Sequence, residues 1–298
     1  MGKLYSALII LSLIWGTSFL FIKILLESMD PSAVVFGRSL FGAVTLLVVA
    51  LFIRNKGVFT NIPWKMLILV SLLNNALPWF LISSSETKIS SGLASIINAT
   101  TPIWTLLIGF LFFSSSLKKN QWIGVLVGFV GIFILSDIKP GEFYSGNTIG
   151  VLLMLGATAC YGLSGHLTKK YLTGLSVLTI SLFTLVFSTI IGLIMMIVLS
   201  PQSFGVFSKI EVILPLLGLG SLGSGIAYLL YYYLVQKGSA EFAALVTYLV
   251  PVSAIIWGVL LLKEEIHMSM IVGLLIIFVG IYISSMKVKE NKKKAAVA

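Results

Sequence analysis

The stretch SSGLASIINATTPIWTLLIGFLFF, residues 90–113, holds no Asp, Glu, Lys or Arg in 24 positions. A bilayer core takes about 20 apolar residues in a helix, and a helix is the default there because each backbone polar group must be satisfied inside the segment. This stretch is long enough, yet Pro102 interrupts its middle. Ser91, Ser95, Asn98, Pro102 and Thr105 follow one another on one face at helical spacing. A second version of it lies 149 residues further on. Lys88 falls on Lys237, Ser90 on Ser239, Ala94 on Ala243 and Pro102 on Pro251, and then Gly124 on Gly273, Gly131 on Gly280 and Ser136 on Ser285. Earlier in the chain, at an offset of 146, Trp15-Gly16 aligns with Tyr161-Gly162 and Lys23 with Lys169. A proline and two glycines sharing one offset point to a duplicated membrane unit.

Outward from this stretch, apolar runs fall at about 4–25, 32–53, 66–86, 90–113, 121–136, 147–168, 175–199, 211–235, 240–262 and 269–286. The chain is 58% hydrophobic and only 10% charged, whereas soluble domains carry roughly 25% charged residues. Lipid is therefore the expected solvent. The formal net charge of +10 does not imply a nucleic-acid partner, because the basic residues sit between apolar runs and in a tail from Lys287 to Lys294 that reads as a juxtamembrane cluster. The single cysteine, Cys160, excludes an intrachain disulfide and reads as a small core residue. The apolar N-terminal run is too long for a signal peptide, and a lipid anchor at Gly2 is superfluous beside ten spans.

The expected fold is an all-α integral membrane protein of ten transmembrane helices in two inverted five-helix repeats, residues 1–138 and 139–286, followed by a basic cytoplasmic tail, 287–298. Five is odd, so the second unit enters the membrane upside down. With the N-terminus inside, fourteen basic residues fall on the inner side and five on the outer, with Arg38 left within a span. That bias supports both termini in the cytoplasm.

Inverted repeats place a solute site near the midplane, where interrupted helices of the two halves meet. Prolines at 102 and 251 free the carbonyls four residues earlier, those of Asn98 and Thr247. Pro78 marks a third kink. These features serve either close helix packing or a cavity wall. Span three presents Ser71, Asn75 and Pro78 with Asn74 and Trp79 beside them, and span eight presents Ser221, Gly225, Tyr228 and Tyr232. Arg38 is the one unambiguous charge inside a span, so it must snorkel to the surface, pair with Glu86 or bind a solute carboxylate. All ten acidic residues fall in loops, tails or span ends. The candidate solute-binding residues are Trp15, Arg38, Asn75, Trp79, Asn98, Thr101, Tyr161, Tyr228 and Thr247. His166, close to Lys169, reads as structural. Gly124, Gly128 and Gly131, echoed by Gly273 and Gly280, form small-residue stripes that suit bracing helices.

Leu13-Ile14-Trp15-Gly16-Thr17-Ser18-Phe19, Ile22-Lys23, Pro31, Phe36-Gly37-Arg38, Pro251, Leu262-Lys263-Glu264-Glu265, Gly273 and Gly280 together resemble the EamA-type family of the drug/metabolite transporter superfamily. The resemblance covers both halves. It implies ten helices, a central cavity walled by helices one to four and six to nine, and outward movement of metabolites or amino acids. One position departs from the pattern: where Glu264 precedes Gly273 by nine residues, Ser115 precedes Gly124.

The expected activity is export of a small neutral or zwitterionic metabolite, such as an amino acid, across the inner (cytoplasmic) membrane by alternating access, with no cofactor and no metal. The expected partners are the solute and the lipid bilayer, with the chain a monomer or homodimer. A membrane-embedded enzyme would need a nucleophile or metal cluster, and neither motif occurs. A non-transporting sensor or assembly protein would be expected to carry a soluble signalling domain.

Overall fold

The computed structural model describes residues 2–53, 62–115, 117–136, 146–237 and 246–286. Among the described residues ten apolar helices follow in order, with a short 3-10 helix, Pro201–Ser208, between the seventh and eighth: α1 (Gly2–Leu25), α2 (Pro31–Ile53), α3 (Trp64–Glu86), α4 (Ser91–Phe112), α5 (Lys119–Ser136), α6 (Gly146–Tyr171), α7 (Val177–Leu199), α8 (Ile210–Leu216, Leu217–Ile226 and Ala227–Lys237 in succession), α9 (Val246–Leu262) and α10 (Met268–Ser285). Eight of them are long and apolar enough to cross a membrane, and α5 and α9 are shorter apolar helices. No strand occurs among the described residues. The basic tail 287–298, the unit boundary at 138–139, the loop cations Arg54, Lys56 and Lys139, and Ala240 and Ala244 of the ninth run lie outside the described residues.

Local chemistry sets several boundaries. The Ser90 hydroxyl accepts from the Leu93 amide at 3.2 Å and opens α4, and Ser176 does the same for Thr179 at 3.1 Å at the start of α7. Pro31 occupies the first position of α2, where a missing N–H costs nothing. Two helices carry π-helical stretches, Leu72–Ala76 in α3 and Leu217–Ile226 in α8. Such widened turns release backbone groups and commonly lie at functional sites.

The packing repeats with a period of five helices. α1 packs on α9 and α6 on α4; α2 packs on α8 and α7 on α3; α3 packs on α6 and α8 on α1; α2 pairs with α7, and α5 with α10. Adding five to each helix number maps this set onto itself. Apolar burial drives little of this packing, because lipid tails are as apolar as leucine; close backbone approach and interhelical hydrogen bonds carry it. A Cβ on Gly131 would lie 2.9 Å from the Gly273 carbonyl, and one on Gly280 would lie 2.6 Å from that of Gly124. Ser71 donates to the Thr184 carbonyl at 2.6 Å, Ser85 to Gly150 at 2.7 Å, and Ser253 to Ser12 at 2.8 Å. The outer surface carries the bulky apolar side chains, among them Phe52, Phe112, Phe133 and Val198.

Candidate functional site

α2, α3, α6 and α8 converge on Arg38. Its Nε donates to Ser224 Oγ at 2.9 Å, and its guanidinium carbon lies 4.0 Å from the ring centre of Trp79. At 8% exposure the side chain does not snorkel to a surface. Nor does it pair with an acid: the one ion pair among the described residues joins Lys209 to Glu211. The guanidinium is thus stacked on an indole and anchored through one nitrogen. Such a cation–π contact gains strength when desolvated, and anchoring through Nε leaves the terminal nitrogens as a planar fork suited to a carboxylate.

The wall around it is aromatic and polar. Trp79 is buried beside the guanidinium, and Tyr161 and Tyr228 both lie within electrostatic reach of Arg38. Trp15 Nε1 donates to the Gly223 carbonyl at 3.2 Å, one residue before the serine that holds Arg38, and its ring lies 5.7 Å from that of Tyr231. The widened turn of α8 supplies that carbonyl, and its glycines let α1 and α2 approach. A Cβ on Gly223 would stand 2.9 Å from Ser18 Oγ, and one on Gly220 would stand 2.9 Å from the Arg38 carbonyl.

The amides of the π-helical stretch in α3 form a chain. Asn74 Nδ2 donates to Asn75 Oδ1 at 2.9 Å, and Ser164 of α6 donates to Asn74 Oδ1 at 3.2 Å. Asn75 is fully buried, and its Nδ2 has no partner among the described residues. Buried polar atoms without protein partners call for water or a ligand.

The remaining candidates stand apart from this cluster. Thr101 donates to the Asn98 carbonyl within α4 at 2.7 Å, Asn98 Oδ1 is buried without a partner among the described residues, and Thr247 is half-buried on α9. Pro102 breaks α4, whose helices end at Asn98 and resume at Thr101, but α9 runs on through Pro251. Over the described residues the interruption at Pro102 has no counterpart at Pro251; residues 240–245 of the ninth run lie outside them. The hydroxyls of Thr100 and Thr101 capture the carbonyls of Ile97 and Asn98, and α9 has Leu249 and Val250 in their places. Pro78 sits directly after the π-helical stretch of α3, which absorbs its missing N–H.

His166 is structural: its Nε2 meets the Thr105 carbonyl at 2.8 Å, and its ring stacks on Phe113 with centres 4.7 Å apart. Sequence reasoning missed Ser224 and Gly223. The one available signal was that Ser224 stands 150 residues after Asn74, so both halves place a small polar residue at this depth.

The model of the EamA-like transporter family matches residues 3–137 and again 148–286. The chain is 28% identical over 288 residues to the uncharacterized transporter YvbV of Bacillus subtilis, covering 96% of this chain and 92% of the relative. It is 24% identical to an uncharacterized transporter of Archaeoglobus fulgidus, covering 90% and 94%, and 26% identical to the uncharacterized inner membrane transporter YedA of Escherichia coli K12, covering 86% and 81%. A solved crystal structure shares the fold at a TM-score of 0.66 and 16% identity, covering 96% of this chain and 97% of the other.

Proposed function

The chain belongs to the EamA-like transporter family, and from that premise we propose that it exports a small solute bearing one carboxylate, an amino acid or close analogue, by alternating access. The observation that carries the reading is Arg38, a buried guanidinium stacked on Trp79, tied to Ser224 and free of any ion pair among the described residues. A charge so placed is costly in a membrane unless something neutralises it. A solute carboxylate does so, and Tyr161, Tyr228 and the Asn74–Asn75 amides offer hydrogen bonds to the rest of the molecule. A multiply charged anion would want further cations at the same place, and none of the site residues supplies one.

Two five-helix units of opposite orientation supply the moving parts in this reading. The double family match and the packing that repeats every five helices support two units. The excess of basic residues in the loops assigned to the inner side supports cytoplasmic termini.

The test is uptake of a panel of labelled amino acids into proteoliposomes, with Arg38→Ala and Arg38→Lys beside the unaltered chain. Arg38→Ala should lose flux by about 30-fold or more, as expected when a buried charge-assisted contact worth about 2 kcal/mol is removed. Lysine should restore little, since it offers neither the fork nor the stacked plane. Unchanged specificity and flux in Arg38→Ala would sink the reading.

A further inference from the structure

We propose that Asn75 and Thr184 form a neutral pole of the solute site, the counterpart of the Arg38 pole. This pair limits the solute to one carboxylate, with a neutral hydrogen-bond acceptor at its far end; the inference deepens the export reading above and rests on it. The pairing follows from the duplication. α2 runs Pro31–Ile53 and α7 runs Val177–Leu199, so the offset of 146 lays Arg38 on Thr184 and Gly42 on Ser188. The offset of 149 lays Ser71 on Gly220, Asn75 on Ser224 and Trp79 on Tyr228. Contacts repeat in the same register. Ser71 donates to the Thr184 carbonyl at 2.6 Å and lies 3.1 Å from Ser188 Oγ. A Cβ on Gly220 would stand 2.9 Å from the Arg38 carbonyl and 3.2 Å from the Gly42 nitrogen. Ser224 therefore has Asn75 as its counterpart, and the guanidinium that Ser224 holds has only Thr184.

The two poles differ in charge. At the first, Arg38 stacks on Trp79 and donates to Ser224. At the second, the Thr184 hydroxyl donates back to the Ser181 carbonyl at 3.1 Å, and no cation stands where Arg38 would. Asn75 Oδ1 is filled by Asn74 at 2.9 Å, and Ser164 donates in turn to Asn74 Oδ1 at 3.2 Å. The chain of bonds thus ends on Asn75 Nδ2, a buried donor with no acceptor among the described residues. Leaving such a donor unmet is costly, and a carbonyl oxygen of the solute satisfies it. A second carboxylate there is buried without a counter-ion, and an ammonium finds the amide oxygen already taken. Asn75 precedes Trp79 by four residues, ~6 Å along α3 at helical rise. A carboxylate at Arg38 and a carboxamide or ketone oxygen at Asn75 suit a solute about the length of glutamine.

The test is initial-rate uptake of labelled glutamine, glutamate and norleucine into proteoliposomes by the full-length protein. Norleucine matches glutamine in length and lacks the side-chain carbonyl. At limiting concentration, glutamine should outrun norleucine and glutamate by about tenfold or more each. Asn75→Leu should bring the glutamine-to-norleucine ratio to about one. Asn75→Ser combined with Thr184→Arg rebuilds the Arg38 arrangement at the second pole, with Tyr228 in the place of Trp79, and should favour glutamate over glutamine. Equal rates for glutamine and norleucine in the unaltered protein overturn the proposal and leave the export reading standing. So does a preference for glutamine that survives Asn75→Leu, or a folded double variant that still rejects glutamate. Where a variant fails to fold, the ratios in the unaltered protein decide. If none of the labelled amino acids moves, the export reading falls and the neutral pole with it.

Discussion

α4 and α9 turn out of their helices in the same way. Ser114 and Lys263, 149 residues apart, take φ of 53° and 56°, in the left-handed region where glycine is the usual occupant. In each case the next amide reaches back six residues, Ser115 to the Gly109 carbonyl and Glu264 to Gly258, both at 3.1 Å. The backbone plan is identical, and the side chain that follows differs. Glu264 accepts from the amides of Ser91 at 2.8 Å and Gly92 at 3.1 Å and from the Ser91 hydroxyl at 2.9 Å, so a carboxylate from the end of α9 caps the start of α4. Ser115 is exposed. A duplicated backbone can thus keep its turns while one copy loses the charge that ties two helices together.

The largest expected effect checks the region where the halves remain alike. α5 and α10 meet through glycines that leave no room for a Cβ, Gly124 against Gly280 and Gly131 against Gly273. Gly124→Ala and Gly280→Ala should each cost about 3 kcal/mol, the upper range for overpacking, read as lowered midpoints of unfolding in mixed micelles. Similar losses from both sides would uphold the likeness of the halves. A silent variant on either side would break it.

Glu264→Ala and Ser115→Ala test the difference. The first strips a helix start of charge-assisted acceptors and should cost about 2 kcal/mol; the second should stay within about 0.5 kcal/mol, as surface substitutions do. Equal losses would mean that the cap contributes nothing specific to α4. Glu264→Gln keeps one oxygen and should fall between the two.

Much of this was legible in the sequence. Apolar runs separated by short polar breaks gave the helices, because a bilayer tolerates little else. The offset of 149 gave the duplication, because Pro102, Gly124 and Gly131 recur where few substitutes fit. Arg38 stood out as a lone charge within a span, and Trp79 and Tyr161 do surround it. Its anchor, Ser224, was not legible: serine is ordinary in membrane helices, and the contact spans 186 residues of sequence. The π-helical stretches left no pattern, since one extra residue per turn barely disturbs an all-apolar segment. Glu86 read as a span end, and its position in the chain is indeed that, but complete burial depends on α1 and α6 closing over it. The continuity of α9 from Val246 through Pro251 was readable from Leu249 and Val250, which carry no hydroxyl to capture a carbonyl.

That last contrast yields the smallest and sharpest prediction. If the hydroxyls of Thr100 and Thr101, and not Pro102 alone, decide that α4 breaks, then removing one should weaken the break without disturbing the proline. Thr101→Val makes this site the image of Val250. It leaves the Asn98 carbonyl without the 2.7 Å bond it now accepts, at a cost of about 1 kcal/mol. Thr101→Ser keeps the hydroxyl and should stay within about 0.5 kcal/mol of the unaltered chain. The converse change, Val250→Thr, should leave α9 continuous, because one hydroxyl facing an otherwise intact helix bonds back to the preceding turn as Thr105 does to Thr101 at 2.9 Å. Amide hydrogen exchange around 99–104 reads the local result directly. In Thr101→Val those amides should exchange with rates altered relative to Thr101→Ser, since the short-range bonds from Thr100 to Ile97 and from Ile103 to Thr100 lose the partner that holds the turn open. Identical exchange in the two variants would assign the break to Pro102 and its surroundings, and the difference between α4 and α9 would then have to come from the helices packed against them.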